Sequence, residues 1–121
     1  MRIKGAYFYG SKPSSKYKNE KITYRGETFD SKKEFEYYLI LKDREKHGEI
    51  TELKKQVSIE IQPSFKINGE TIRAITYKAD FVYKDLKDGK THVVDVKGYK
   101  TEVYKLKKKL LAYKGIYIEE V

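Results

Sequence analysis

Apolar positions change their spacing several times along the chain. Residues 1–28 hold neither a period of 2 nor one of 3.6 for long. Gly, Ser, Pro and Lys dominate there, with Tyr7, Phe8, Tyr9, Tyr17 and Tyr24 interleaved. This stretch reads as an extended basic arm, with a short strand near Ile22–Phe29, ahead of a domain at 29–121. Ser31-Lys32-Lys33-Glu34 then fits a capping box, a Ser cap with a Glu three residues on. A helix is predicted from Lys32 to His47, stopped by Gly48. At 100° per residue, Tyr38 and Leu41 flank Glu34 within about 60° of arc. Phe35 and Leu39 widen that apolar face, Glu34 points toward it, and Glu36 points to water.

Strand patterns take over after Leu53. Gln56–Ile61 alternates polar and apolar, as a half-buried strand does, and Pro63 places that strand at an edge or a bulge. Asn68-Gly69 signals a hairpin turn ahead of a long strand from Ile72 to Tyr83. Asp88-Gly89 signals another turn before a third strand, His92–Lys97, which Gly98 ends while allowing close backbone approach. Thr101 can cap a second helix, Glu102–Tyr113, stopped by Gly115. Val103, Leu106, Leu110 and Tyr113 share one of its faces, taken as the core face, with Lys105, Lys108 and Lys109 opposite. A last strand at Ile116–Ile118 follows a crossover and is expected to run parallel to its neighbour. The order is helix, three hairpin-joined strands, helix, strand: an α/β fold with a mixed central sheet flanked by helices.

The 121 residues suit one domain with a modest core. Absence of Cys excludes disulfides, thiol catalysis and Cys-based zinc sites. The two histidines, His47 and His92, exclude a His-rich metal site. No apolar run reaches a membrane span's length, and the first residues lack a secretory pattern, so a cytoplasmic protein is expected. With 27 Lys and Arg against 18 Asp and Glu, the formal charge of +9 points to a polyanionic partner.

Two acids stand inside apolar strand segments: Asp80 in Tyr77–Tyr83 and Asp95 in Val93-Val94-Asp95-Val96. Buried carboxylates need compensation, and a divalent cation such as Mg²⁺ supplies it. Counting symmetrically about Asp88-Gly89 sets Asp95 opposite a residue near Tyr83, so twist or a bulge is needed to bring Asp80 alongside. Lys97 shares a strand face with Asp95, while Val94 and Val96 face the core. Lys97 can orient a water or neutralise charge on a phosphorane-like transition state. The Val96 carbonyl can add a metal ligand, and Glu34 can complete the site. Blander roles are open for each: an Asp95–Lys97 surface pair, Asp80 paired with Lys78 or Arg73, and Glu34 as no more than a helix cap.

The series Glu34, Asp80 and Asp95-Val96-Lys97 resembles the PD-(D/E)xK nuclease superfamily, the restriction-endonuclease-like fold with its αβββαβ core. The resemblance covers residues 29–121. It maps the first acid to Asp80, the (D/E)xK element to Asp95 and Lys97, and the helix acid to Glu34. Ala79 stands where the motif usually has Pro. The segments KYKNEKITYRGETFDSKKE, QVSIEI, TYKADFVY, VVDVKGYKT and VYKLKKKL are similar to a small family of bacteriophage and prophage proteins assigned to this fold. Gln56 resembles a polar active-site position in several such nucleases, although an ordinary strand-edge role fits it equally well.

The resemblance implies a Mg²⁺-dependent DNA endonuclease, with Mn²⁺ as a substitute, acting on branched or duplex DNA. A resolvase of Holliday junctions is the favoured form, and two symmetric cuts then imply a homodimer. A flap or nicking nuclease of the same fold, or a non-catalytic basic nucleic-acid-binding protein, are the alternatives. The candidate DNA contacts are Lys12, Lys16, Lys18, Lys21 and Arg25 in the arm, with Lys105, Lys107 and Lys108 on the second helix. Lys107 falls within that helix's apolar arc, from which it can reach the rim of the site.

Overall fold

The computed structural model describes residues 20–96 and 98–121. The chain divides within its first helix: residues through Glu36 fall in one compact unit and Tyr37–Val121 in the other.

In the first unit, strands β1 (Ile22–Tyr24) and β2 (Glu27–Phe29) pair antiparallel, with Ile22 opposite Phe29. Arg25 and Gly26 turn the corner with φ of 50° and 81°. A turn with both central residues left-handed matches the twist of a two-stranded ribbon. Phe29 is fully buried, and the rings of Phe29 and Tyr24 lie 5.2 and 5.3 Å from that of Phe35 in edge-to-face contacts. From Ile22 onward, therefore, the expected extended arm is a folded hairpin, because three aromatic rings give a short segment enough apolar area to bury.

Helix α1 runs Lys32–Lys46. Ser31 Oγ accepts the Glu34 N–H at 3.1 Å, and Glu34 Oε1 accepts the Asp30 N–H at 2.8 Å. One of the helix's orphan donors and the N–H of the residue before the cap are thus satisfied by side chains, as in a capping box whose acid reaches one residue further back. Gly48, with φ 74°, terminates the helix.

In the second unit, β3 (Ile50–Gln62), β6 (Ile75–Asp85), β7 (Thr91–Asp95) and β8 (Ile118–Glu120) form a mixed sheet in the order β3-β6-β7-β8. β4 (Phe65–Ile67) and β5 (Glu70–Ile72) form a separate hairpin around Asn68-Gly69. The long strand expected from Ile72 therefore starts at Ile75. β3 is an edge strand ending just before Pro63, the placement that proline allows, with register irregularities at Thr51/Lys54 and Glu60/Gln62. β7 and β8 pair parallel through the crossover of α2 (Glu102–Tyr113). Thr101 Oγ1 caps α2 by accepting the Tyr104 N–H at 3.0 Å. β7 ends at Asp95, two residues earlier than expected, and the final strand sits two residues later.

The core of this unit gathers Ile61, Tyr77, Ala79, Val93, Tyr104, Leu111 and Ile118. From α1, the rings of Tyr37 and Tyr38 meet Phe81, and Leu41 is fully buried. Leu39 is exposed, so the apolar face of α1 is narrower than expected. The face of α2 differs more. Tyr104 and Leu111 face inward, beside half-buried Lys107 and Lys108, whereas Val103, Leu106, Leu110 and Tyr113 are exposed. The lysine stems cover apolar surface while their ammoniums reach out, and Tyr104 brings a hydroxyl that needs a partner when buried. Among the described residues, no helix is long and apolar enough to cross a membrane.

Candidate functional site

A single polar row crosses the four-stranded sheet. Between β6 and β7, Phe81 stands opposite Val94. One further step along that register sets Asp80 opposite Asp95. Between β3 and β6, Lys55 faces Phe81 and Val57 faces Ala79, so Gln56 lies opposite Asp80. Between β7 and β8, Asp95 pairs with Glu120. Gln56, Asp80, Asp95 and Glu120 thus line up transversely, one from each strand.

The register that aligns the two aspartates comes from the connection between β6 and β7. Asp85 N–H bonds Lys90 O at 2.9 Å and Gly89 N–H bonds Asp85 O at 2.8 Å, closing a loop over Leu86–Gly89. Asp85 and Lys90 flank this loop, so its centre lies ahead of Asp88-Gly89. The expected placement of Asp95 near Tyr83 is corrected accordingly: His92 stands opposite Tyr83, and Asp80 meets Asp95 with no bulge between β6 and β7.

Asp80 is held by donors on both sides. Its Oδ2 accepts the Val96 N–H at 2.8 Å, and its Oδ1 faces the Gln56 amide Nε2 at 3.4 Å. Gln56 reaches that position from a left-handed backbone conformation, φ 51°, uncommon for a residue within a strand. Asp95 is only 1% exposed. Its backbone carbonyl accepts the Val121 N–H at 3.0 Å, which ties the end of β7 to the chain's last residues. Tyr77 stands nearby: burial first, then the neighbouring Asp95 carboxylate, push the phenol well above its ordinary range. The Tyr77 ring is 6.1 Å from that of Tyr104.

Glu120 ends the row and was not anticipated. Tyr104 Oη donates to Glu120 Oε2 at 2.6 Å, and Lys100 and Lys108 ammoniums each lie 3.0 Å from the carboxylate. Those three partners, Tyr104 first, hold its pKa down at about 2. Lys108 is thereby an ion-pair partner within the fold, correcting its expected place on a water-facing side. Glu120 could have been suspected only through the parallel β7–β8 register, which no local signal specifies.

The remaining candidates fall as follows. Lys97, Lys12, Lys16 and Lys18 lie outside the described residues. Lys21 and Arg25 are exposed, and the Arg25 guanidinium sits over the Tyr24 ring at 5.3 Å. Val96 follows the end of β7 and is half-buried; it does not extend the strand's core face. Lys105 is exposed and pairs with Glu102 at 3.1 Å. Lys107 flanks the buried side of α2. A Cβ at Gly98 would meet nothing within 4 Å, so no close approach explains this glycine. Glu34, 3% exposed, belongs to the first unit, where it caps α1.

A second cluster went unnoticed in the sequence. Ligand atoms of Asp85, Asp88 and His92 lie within 4.8 Å of one another. His92 Nε2 is 2.9 Å from Asp88 Oδ2, its Nδ1 contacts Glu119, and its ring stacks on Tyr83 at 5.2 Å. Asp85 Oδ2 accepts from Arg44 Nη2 at 3.2 Å. Asp88 and His92, four residues apart across a turn, were the available signal.

Asp80 and Asp95 offer oxygen atoms from adjacent strands in one row, the ligand type a hard divalent cation takes, whereas the group of three whose ligand atoms converge among the described residues is Asp85, Asp88 and His92. Comparisons with curated proteins and with solved structures return no match. A family model matches residues 14–120, and the chain belongs to that family, described as "Protein of unknown function (DUF1064)".

Proposed function

We propose that this chain is a Mg²⁺-dependent DNA endonuclease of the PD-(D/E)xK type, cytoplasmic and acting as a homodimer on branched recombination intermediates. The observation that supports this reading best is the transverse register of Gln56, Asp80 and Asp95, with Asp80 anchored on the Val96 N–H. An ion pair on a solvated strand has no need of two carboxylates facing each other. Two carboxylates so placed repel, and a cation between them is one way to relieve that repulsion. Asp80, Asp95 and the Val96 carbonyl would hold Mg²⁺, which supplies Lewis-acid stabilisation of charge on the scissile phosphate. Gln56 positions Asp80 and can orient a water. Lys97, two residues beyond Asp95 in sequence, is assigned to the attacking water or the developing phosphate charge. Net charge +9 provides the attraction to the DNA backbone.

The test is a cleavage panel of linear duplex, single strand, flap and four-way junction, with Mg²⁺, Mn²⁺ or EDTA. Junction cleavage with either metal, none with EDTA, and none for Asp95→Asn in a folded protein that still binds DNA, is the expected result. Preference for flaps or nicked duplex would reassign the substrate within the same chemistry. Binding of all substrates with no cutting under any metal would make the chain a non-catalytic binding protein.

A further inference from the structure

The apolar residues of α2 that stay out of the core form a straight seam. Val103, Leu106, Leu110 and Tyr113 recur at spacings of 3, 4 and 3, the a/d pattern of a coiled-coil seam. Val103 is 61% exposed, Leu106 56% and Tyr113 92%. At the helical pitch the four fall within an arc of about 80°. The seam's borders are basic. Lys107 lies on one side and Lys109 on the other, while Glu102 is engaged by Lys105. A shallow hollow of about 210 Å³ opens between Glu102, Lys105, Leu106 and Lys109. These residues stand at i, i+3, i+4 and i+7, the frame into which a side chain of a facing helix inserts.

We propose that the outer seam of α2 docks an acidic amphipathic helix from another protein, with aliphatic residues on its own seam and Glu or Asp on its borders. Charge complementarity selects this occupant. In an antiparallel pair of α2 helices, each Lys107 meets its own copy and each Lys109 does likewise. In a parallel pair, Lys109 falls beside Lys114, and the one attraction, Glu102 to Lys107, draws on a carboxylate already paired with Lys105. The seam is therefore ill suited to a second copy of this chain, and a homodimer would use another surface. An arc this narrow also suits a facing helix better than a bilayer, which favours a broad apolar face that can sink below the headgroups.

The experiment uses the full chain and two synthetic three-heptad peptides. Both carry Ile at a and Leu at d; one has Glu at every e and g position, the other Lys. The Glu peptide is expected to bind with micromolar affinity by fluorescence anisotropy, and the Lys peptide at least tenfold more weakly. Val103→Ser with Leu106→Ser should abolish binding while leaving the melting temperature unchanged, since these side chains are 61% and 56% exposed. Lys107→Glu with Lys109→Glu should reverse the peptide preference. Equal binding of both peptides, or no binding, would overturn the proposal. So would a concentration-dependent dimer dispersed by the Val103 and Leu106 changes, which would make a second copy the occupant. Co-sedimentation with phosphatidylglycerol vesicles that the same changes abolish would assign the seam to a membrane surface instead.

Discussion

Gln56 holds a left-handed backbone conformation in the middle of a strand, and its amide faces Asp80. A non-glycine residue in that conformation costs about 1–2 kcal/mol, and such residues persist where the surroundings over-determine them, often at functional sites. Gln56→Gly removes the conformational cost together with the amide. The melting temperature should hold or rise, while cleavage falls if the amide serves the aspartates. Parallel thermal melts and cleavage assays separate the two effects. A loss of stability with unaltered cleavage would make Gln56 an ordinary strand residue. Asp80→Asn differs: it keeps the size and removes the charge, so under the nuclease reading cleavage should fall at least a hundredfold with DNA binding retained. At this scale the two aspartates were legible as misplaced acids in apolar runs, whereas Glu120, a polar residue in a short terminal strand, was not.

Among the elements, α1 makes the clearest stability prediction. Glu34 is buried with its Oε1 on the Asp30 N–H, and Glu36 is exposed. Glu34→Ala should cost about 1–2 kcal/mol, the usual loss for a helix cap or a buried bonded acceptor. Glu36→Ala should stay within about 0.5 kcal/mol. Urea melts of both variants test this; equal effects would mean that the cap contributes nothing. The start of this helix was readable because capping is local chemistry, written in Ser31 and Glu34. The inner face of α2 was not, because a wheel holding both Val103-Leu106-Leu110-Tyr113 and Tyr104-Leu111 offers two apolar stripes. Tertiary partners choose between them: Glu120 and Tyr77 give Tyr104 a hydroxyl acceptor and a ring neighbour. The β6–β7 register eluded local reading for a related reason. Asp-Gly marked a turn, but the bonds of Asp85 and Lys90 fixed where its centre lies.

For the whole molecule, the most direct consequence of the charge arrangement is a pH dependence centred on His92. This residue joins the Asp88 turn to Glu119 of β8, with Tyr83 stacked against its ring and Arg44 in cation–π contact with Tyr83. Burial alone would lower its pKa, but the carboxylates of Glu119 and Asp88 outweigh burial and raise it above 6.5. A group whose pKa is raised on folding stabilises the protein while it is protonated. The contribution of His92 is therefore fully present below pH 6.5 and is lost as pH rises through the folded-state value. His92→Gln should be less stable than the parent protein at pH 6, and the gap in melting temperature should close on the alkaline side. His47, its pKa raised chiefly by its bond to the Asp43 carbonyl, also changes charge as pH rises, but both proteins carry it, so it cancels in the difference. High salt should shrink the acid-side gap, because the pairs are partly exposed. The check is a series of melts of both proteins from pH 5.5 to 9, at low and high salt. A gap that stays constant across that range would mean that His92 acts through stacking on Tyr83 alone. A gap that widens with pH would mean that the histidine is held neutral in the folded protein.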